Sequence, residues 1–169
     1  MTGLQHFNDA EAAAMRPSLL ACCDVPAWAD AVLAARPCAD LDDLVAAADS
    51  AARGFTPAEV DRALAAHPRI GERAQGPSAT AGWSRQEQST VSRDERTQRE
   101  LLEGNRAYEE RFGRVFLICA TGLTGDEILA SLRERLGHDD ATEDAVVADE
   151  LRKIALLRLR KLIEEGPQS

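Results

Sequence analysis

Aromatic side chains are scarce in this 169-residue chain: two Trp, one Tyr and four Phe amount to 4% of it. Alternating Val, Ile and Thr, the pattern of half-buried strands, is nearly missing, whereas Ala-rich and Leu-rich runs abound. Together these argue against a sheet and for an all-α domain. A basic stripe is lacking too. The formal charge is −9, with acids spread along the chain, which argues against nucleic acid and leaves room for a local anion site at most. The four cysteines, Cys22, Cys23, Cys38 and Cys119, form no CxxC and have no His at ligand spacing, so no metal site is expected. No apolar run approaches the roughly 20 residues that cross a bilayer. Met1 to Asp9 is short and polar, unlike a signal peptide, and Gly-Pro-Gln-Ser at the carboxyl end is no peroxisomal address, so the reducing cytoplasm is the expected location. Repeats and low-complexity tracts are absent.

The chain is rich instead in helix punctuation. Its length predicts a single domain, residues 1–169, able to bury a core without disulfides or metals. Its start and stop signals predict a multi-helix architecture of about seven to nine helices with no significant sheet. Asn8 or Asp9 caps a first helix, Ala10 to Met15, that Pro17 interrupts before Ser18 to Cys23 resumes. Trp28 to Arg36 ends at Pro37, and Asp40 caps Leu41 to Arg53, with Gly54 as left-handed terminator. Thr56-Pro57-Ala58-Glu59 is a capping box with Pro at the first helical position. Arg69 to Gly82 is a long irregular piece, of the kind that often carries function. Ser84 to Glu87 and Ser92 to Glu95 each have capping-box spacing. The long helix after Ser92 buries Leu101, Leu102, Tyr108 and Phe112 in a narrow stripe beside Asn105, and stops at Gly113. Arg114 to Ala120 is a short apolar run without a sheet partner, either an extended buried segment or the start of a core helix. Thr124 opens a helix to Leu136, and a last helix runs from about Thr142 to Glu164.

Two features carry chemistry. His67 falls on the continuation of the face formed by Val60, Ala63 and Leu64, and Pro68 ends the helix there. A histidine on a stiff helix exit, followed by Arg69 and Glu72, suits general acid/base work; a hydrogen-bonded structural histidine is the bland alternative. Arg158 sits in the apolar stripe of the last helix with Val147, Leu151, Ile154, Ala155 and Leu162, while Asp149, Glu150, Lys153, Arg160 and Lys161 lie opposite. A buried guanidinium needs an anion, which is an internal Asp or Glu or the carboxylate of a ligand. Ser84 and Glu87 are explained by capping alone, and Cys22, Cys23, His6 and His138 read as buried thiols and surface or loop histidines.

Taken in order, His67-Pro68-Arg69-Ile70-Gly71, Ser84-x-x-Glu87-Gln88, Asn105-x-x-Tyr108-x-x-Arg111-Phe112-Gly113-x-x-Phe116-Leu117-Ile118-Cys119-Ala120 and Leu157-Arg158-Leu159 resemble one family. It is the 2-oxo-4-hydroxy-4-carboxy-5-ureidoimidazoline (OHCU) decarboxylase family, whose members carry out the last step from urate to (S)-allantoin. The resemblance extends from Phe7-Asn8 through Trp28 and Arg36-Pro37 to Arg158. It implies a compact all-α homodimer, a small-molecule substrate, and no metal or organic cofactor. His67 matches the catalytic histidine, Glu87 the active-site carboxylate and Arg158 the pocket arginine. Pro68, then Ser84, Arg85, Gln86, Glu87 and Gln88, then Phe116, Leu117, Ile118, Cys119 and Ala120 match the stretches that contact substrate. Gly104 stands where Leu is usual, which is expected to loosen the long helix, and Arg114-Val115 replaces an apolar-Pro pair.

The implied substrate holds a carboxylate and a hydroxyl on one ring carbon, next to a carbon doubly bonded to nitrogen. That C=N accepts the electron pair released as CO₂ leaves, so the protein has only to orient, place charge and move protons. His67, titrating near neutrality, is expected to bond the substrate hydroxyl and act as general acid/base. Glu87 is expected to hold the imidazole or a ring N–H, Arg158 an anionic or carbonyl edge, and Gln88 with the backbone of 117–120 the ureido and ring amides. Two other readings fit the same residues: a helical protein-interaction module with an exposed apolar groove, and a related lyase acting on another ureido acid.

Overall fold

Local capping signals define most of the architecture. The computed structural model describes residues 2–68, 79–88 and 94–165. Among them are nine helices and no strand: α1 Gly3–Asp9, α2 Ala12–Cys22, α3 Pro26–Ala34, α4 Leu41–Ala52, α5 Pro57–Leu64, α6 Ala79–Glu87, α7 Glu95–Phe112, α8 Gly125–Leu136 and α9 Asp140–Glu165. The all-α expectation therefore holds. Asp40 caps α4, Thr56 and Glu59 form a reciprocal box on α5 with Pro57 at its start, and Thr124 with Glu127 does the same for α8. Gly113 ends α7 at φ 70°, a left-handed turn that glycine takes without a Cβ clash.

Several boundaries differ from the sequence reading, each for a physical reason. An unforeseen helix, α1, comes first, because Thr2 and Gln5 make a capping box of their own; the helix expected from Ala10 is α2, which starts at Ala12 behind Glu11 and not behind Asn8 or Asp9. Pro17 lies inside α2, where Met15, Leu19 and Cys22 bury a face that offsets the lost backbone bond. Gly54 has no left-handed φ; α4 closes on Arg53 in ordinary helical geometry. Ala79 to Gly82 lie in α6, so the expected irregular piece does not extend through them, and its remainder, Arg69 to Ser78, falls outside the described residues. Asp94, not Ser92, is the α7 cap, accepting from the Thr97 amide; Ser92 too is outside the described residues. Leu102 is turned to solvent, and the buried stripe of α7 is Leu101, Asn105 and Tyr108.

The long α9 is the spine, packing against α1, α2, α4 and α5. A large core gathers around it from Phe7, Leu19, Trp28, Leu44, Val147, Leu151 and Leu159, among others. A smaller core joins α7 to α8 through Leu101, Tyr108, Ile128 and Leu132. Gly104 belongs to this contact: a Cβ there would lie 2.3 Å from Leu132 Cδ2. The glycine thus permits a close helix approach, a role opposite to loosening.

Residues 115–120 form neither helix nor strand, so the helix alternative for this run is set aside. Phe116, Ile118 and Ala120 enter the small core, while Leu117 and Cys119 pack on the large one. That twofold alternation is extended-chain geometry, and it makes the segment the seam between the two cores.

Candidate active site

Ser84 and Glu87 lie three residues apart on α6, one turn along a shared face. They do not open the helix, so their capping reading is corrected: the same spacing here aims both side chains at α9. Arg158 Nε donates to Glu87 Oε1 at 2.7 Å, and its Nη2 donates to Glu87 Oε2 and Ser84 Oγ, each at 3.1 Å. All three residues are buried. The anion demanded by Arg158 is therefore Glu87, held in a bidentate fork. The guanidinium also lies 5.8 Å from the Trp83 ring centroid. The Trp83 indole nitrogen, itself buried, has no hydrogen-bond partner among the described residues.

His67 follows the last turn of α5, its amide donating to the Leu64 carbonyl at 3.0 Å. Its imidazole is pushed down to about 3, first by desolvation and then by the positive charge of nearby Arg158. The expectation of titration near neutrality is thus corrected: the ring is neutral at physiological pH. No hydrogen bond joins His67 to Glu87 among the described residues, and both Glu87 oxygens face Arg158. Glu87 therefore meets Arg158, and the expectation that it holds the imidazole directly is not what this geometry offers.

The other expected contacts divide. Pro68, Arg85 and Gln88 are half-buried beside these elements, but Gln86 is exposed on the outer face of α6. Cys119 is half-buried, its thiol raised by desolvation and by the charges of Glu150 and Glu87, which brings the 116–120 segment within electrostatic reach of Glu87. The side chains of Phe116, Ile118 and Ala120 are committed to the small core, so this stretch can meet a ligand mainly through its backbone. Burial raises both the Cys22 and Cys23 thiols, Cys23 to about 12, so neither is a nucleophile at neutral pH.

Sequence reasoning missed three polar residues under this wall. Glu143 and Arg135 are buried, with Arg135 Nη2 2.6 Å from Glu143 Oε2. Tyr108 donates its hydroxyl to Glu143, and His138 Nδ1 lies 3.2 Å from Glu143 Oε1, so His138 is not a free surface residue. Glu150, expected on the polar side of α9, is buried and accepts from the Cys119 amide at 3.2 Å. The available signal was spacing: Glu143 and Glu150 precede Arg158 by about two-turn steps along α9. Among the described residues no group of His, Cys, Asp and Glu is arranged to hold a metal ion, and no helix is long and apolar enough to cross a membrane.

A neutral imidazole beside a carboxylate-compensated guanidinium suits proton transfer on an anionic substrate. The OHCU decarboxylase family profile matches residues 8–160, nearly the whole chain. The chain belongs to the OHCU decarboxylase family. It is 33% identical over 142 residues to the 2-oxo-4-hydroxy-4-carboxy-5-ureidoimidazoline decarboxylase of Amia calva, covering 82% of this chain and 81% of that protein. It is 32% identical over 137 residues to the enzyme of the same name from Haloferax volcanii, covering 79% of each. The uric acid degradation bifunctional protein TTL of Arabidopsis thaliana is 37% identical over 108 residues, 61% of this chain; the match spans only 33% of that longer protein. In three dimensions the chain is similar to an OHCU decarboxylase crystallised in the presence of (S)-allantoin, with a TM-score of 0.71, 26% identity and coverage of 91% of this chain and 99% of that one. The family assignment also fits the two departures: Gly104 is accommodated by Leu132, and Arg114 is tied to Asp144 at 2.6 Å.

Proposed function

We infer that this chain decarboxylates OHCU to (S)-allantoin, the closing step of urate oxidation, with His67 as the proton-transfer residue and no metal or organic cofactor. Family membership supports the reaction. The observation that carries the mechanism is the neutral His67 beside the Arg158–Glu87 pair.

The substrate's carboxylate enters a site whose fixed cation is Arg158, with Glu87 keeping the guanidinium oriented and its charge compensated. As the carbon–carboxylate bond breaks, its electron pair forms a double bond to the neighbouring imine carbon. The imine pair moves onto the ring nitrogen, which takes a proton, and CO₂ departs. The resulting enol then loses its hydroxyl proton to neutral His67, and the ureido-bearing carbon gains a proton on one face, creating the stereocentre of allantoin. Desolvation and Arg158 make the transient imidazolium a strong acid, so it hands its proton on quickly. Pro68, Ser84, Arg85, Gln88 and the backbone of 116–120 are the groups proposed to line the substrate.

We further propose that the protein works as a homodimer in the cytoplasm; light scattering of the purified protein tests the assembly. The reaction is tested by generating substrate from urate with its upstream enzymes and following circular dichroism. A protein-dependent rise of the (S)-allantoin signal is expected. Decay no faster than the protein-free control would overturn the assignment and favour a helical interaction module.

A further inference from the structure

Among the described residues the 116–120 segment has no strand beside it; the Ala120 carbonyl accepts from the Leu123 amide, and other backbone polar groups need partners from side chains. Two of these are found on flanking helices. Arg135 Nη1 donates to the Leu117 carbonyl at 2.6 Å, and the Cys119 amide donates to Glu150 Oε1 at 3.2 Å. Each of these side chains is itself held. Arg135 is forked onto Glu143, which is fully buried and also receives the Tyr108 hydroxyl. Glu150 Oε2 accepts from Lys153 Nζ at 2.6 Å.

Glu143, Glu150 and Arg158 are seven and eight residues apart on α9, about two turns each, so the three leave the helix on one side. One face of a single rigid helix therefore sets three parts of the site: Glu143 fixes Leu117 through Arg135, Glu150 fixes Cys119, and Arg158 fixes Ser84 and Glu87.

We propose that Glu150, together with the Arg135–Glu143 pair, is a positioning residue for decarboxylation: it sets the distance and tilt of the 116–120 backbone relative to the Arg158–Glu87 pair. This deepens the reading above and rests on 116–120 being the substrate-facing wall. Neither Glu150 nor Arg135 is proposed to touch the reacting atoms. The reason for buried carboxylates here is geometric. An unpaired extended segment at a seam between two cores has no ladder to set its register, and charged acceptors on a rigid helix supply that register instead.

Glu150→Gln and Glu150→Ala separate positioning from mere stability, because the Gln carbonyl can still accept from the Cys119 amide whereas Ala cannot. Both lose the charge opposite Lys153. With the fold checked by far-ultraviolet circular dichroism, Glu150→Ala is expected to raise KM and lower kcat/KM about ten- to a hundredfold, the scale of a misplaced substrate, and Glu150→Gln to recover most of it. Hydrogen exchange at the Cys119 amide is a readout independent of turnover, expected to quicken in Ala and stay slow in Gln. Wild-type kinetics and unchanged exchange in a folded Glu150→Ala would overturn the proposal, as would equal losses in Ala and Gln. If the wild type itself does not turn over OHCU, the functional reading fails, while the exchange experiment still decides whether Glu150 holds the wall.

Discussion

Replacing Glu87 by Gln leaves shape nearly unchanged and removes one charge from a buried ion pair of the site. Arg158 is 1% exposed and Glu87 9%, so water can do little to compensate. Of the two Arg158–Glu87 hydrogen bonds, at 2.7 and 3.1 Å, Gln can accept only one through its carbonyl; its amide hydrogens face the remaining guanidinium N–H. Removing one partner of a buried pair costs about 3–5 kcal/mol, and a residual hydrogen bond recovers about 1 kcal/mol, so a net loss of roughly 2–4 kcal/mol is expected. Most domains of this size survive that loss folded. Urea unfolding of Glu87→Gln, Arg158→Met and the double variant gives the test, since removing both charges should cost less than the sum of the single changes. The kinetic expectation is distinct: kcat falls while KM does not rise, because the cation that holds the substrate carboxylate remains. A folding loss below about 0.5 kcal/mol in Glu87→Gln, within the range of ordinary surface changes, would refute the claim that this pair is a desolvated unit.

Because His67 is held neutral down to about 3, kcat/KM should show no acid limb from this residue at its ordinary value near 6.5; a pH profile of the wild type against His67→Asn checks this, and a His67-dependent limb at that value would contradict it. The same shift acts on stability: below about 6.5 the unfolded chain takes up a proton that the folded site refuses, so this contribution is lost as pH falls, and His67→Asn should flatten the acid side of a stability–pH curve. Burial alone would raise Glu143, but hydrogen bonds from Arg135 and Tyr108 outweigh it and hold the carboxyl below its ordinary value. Its stabilisation is present at neutral pH and disappears on acidification through the carboxylate range, so Glu143→Gln should lower Tm most at neutral pH and least in acid. Gly104→Ala should destabilise by about 1 kcal/mol, the overpacking against Leu132 exceeding the gain in helix propensity, as read by thermal unfolding.

What was legible in the sequence is what local chemistry determines. Thr56 with Glu59, Thr124 with Glu127, Asp40 and Gly113 act within one helical turn, and each does in the structure what its residue type and spacing imply. Arg158 in an apolar stripe announced the need for an anion, but the chain has 29 acids and only tertiary packing selects Glu87 among them. Ser84 and Glu87 misled because a spacing of three serves a capping box and a shared helix face equally; α6 starts five residues before Ser84, and that choice is made by the elements around it. Pro17 was read as a break because its local cost was visible, while the burial of Met15, Leu19 and Cys22 that offsets it was not. Glu150 lies at the edge of the apolar stripe, where a helical projection reads solvent; the backbone of a distant segment reaches it there. The depressed His67 value likewise arises first from burial and then from the charge of Arg158, far away in sequence, and both are set by tertiary packing.

The most direct test of the central claim is the stereochemical course of turnover in wild type and His67→Asn, measured by following substrate loss and the (S)-allantoin circular dichroism signal in the same cuvette. The account predicts rapid substrate loss coupled to the (S) signal in the wild type, and in the folded variant a rate lowered on the order of 10² to 10⁴ fold with the signal lost to racemic background. A folded His67→Asn protein that still delivers (S)-allantoin at the wild-type rate would contradict it.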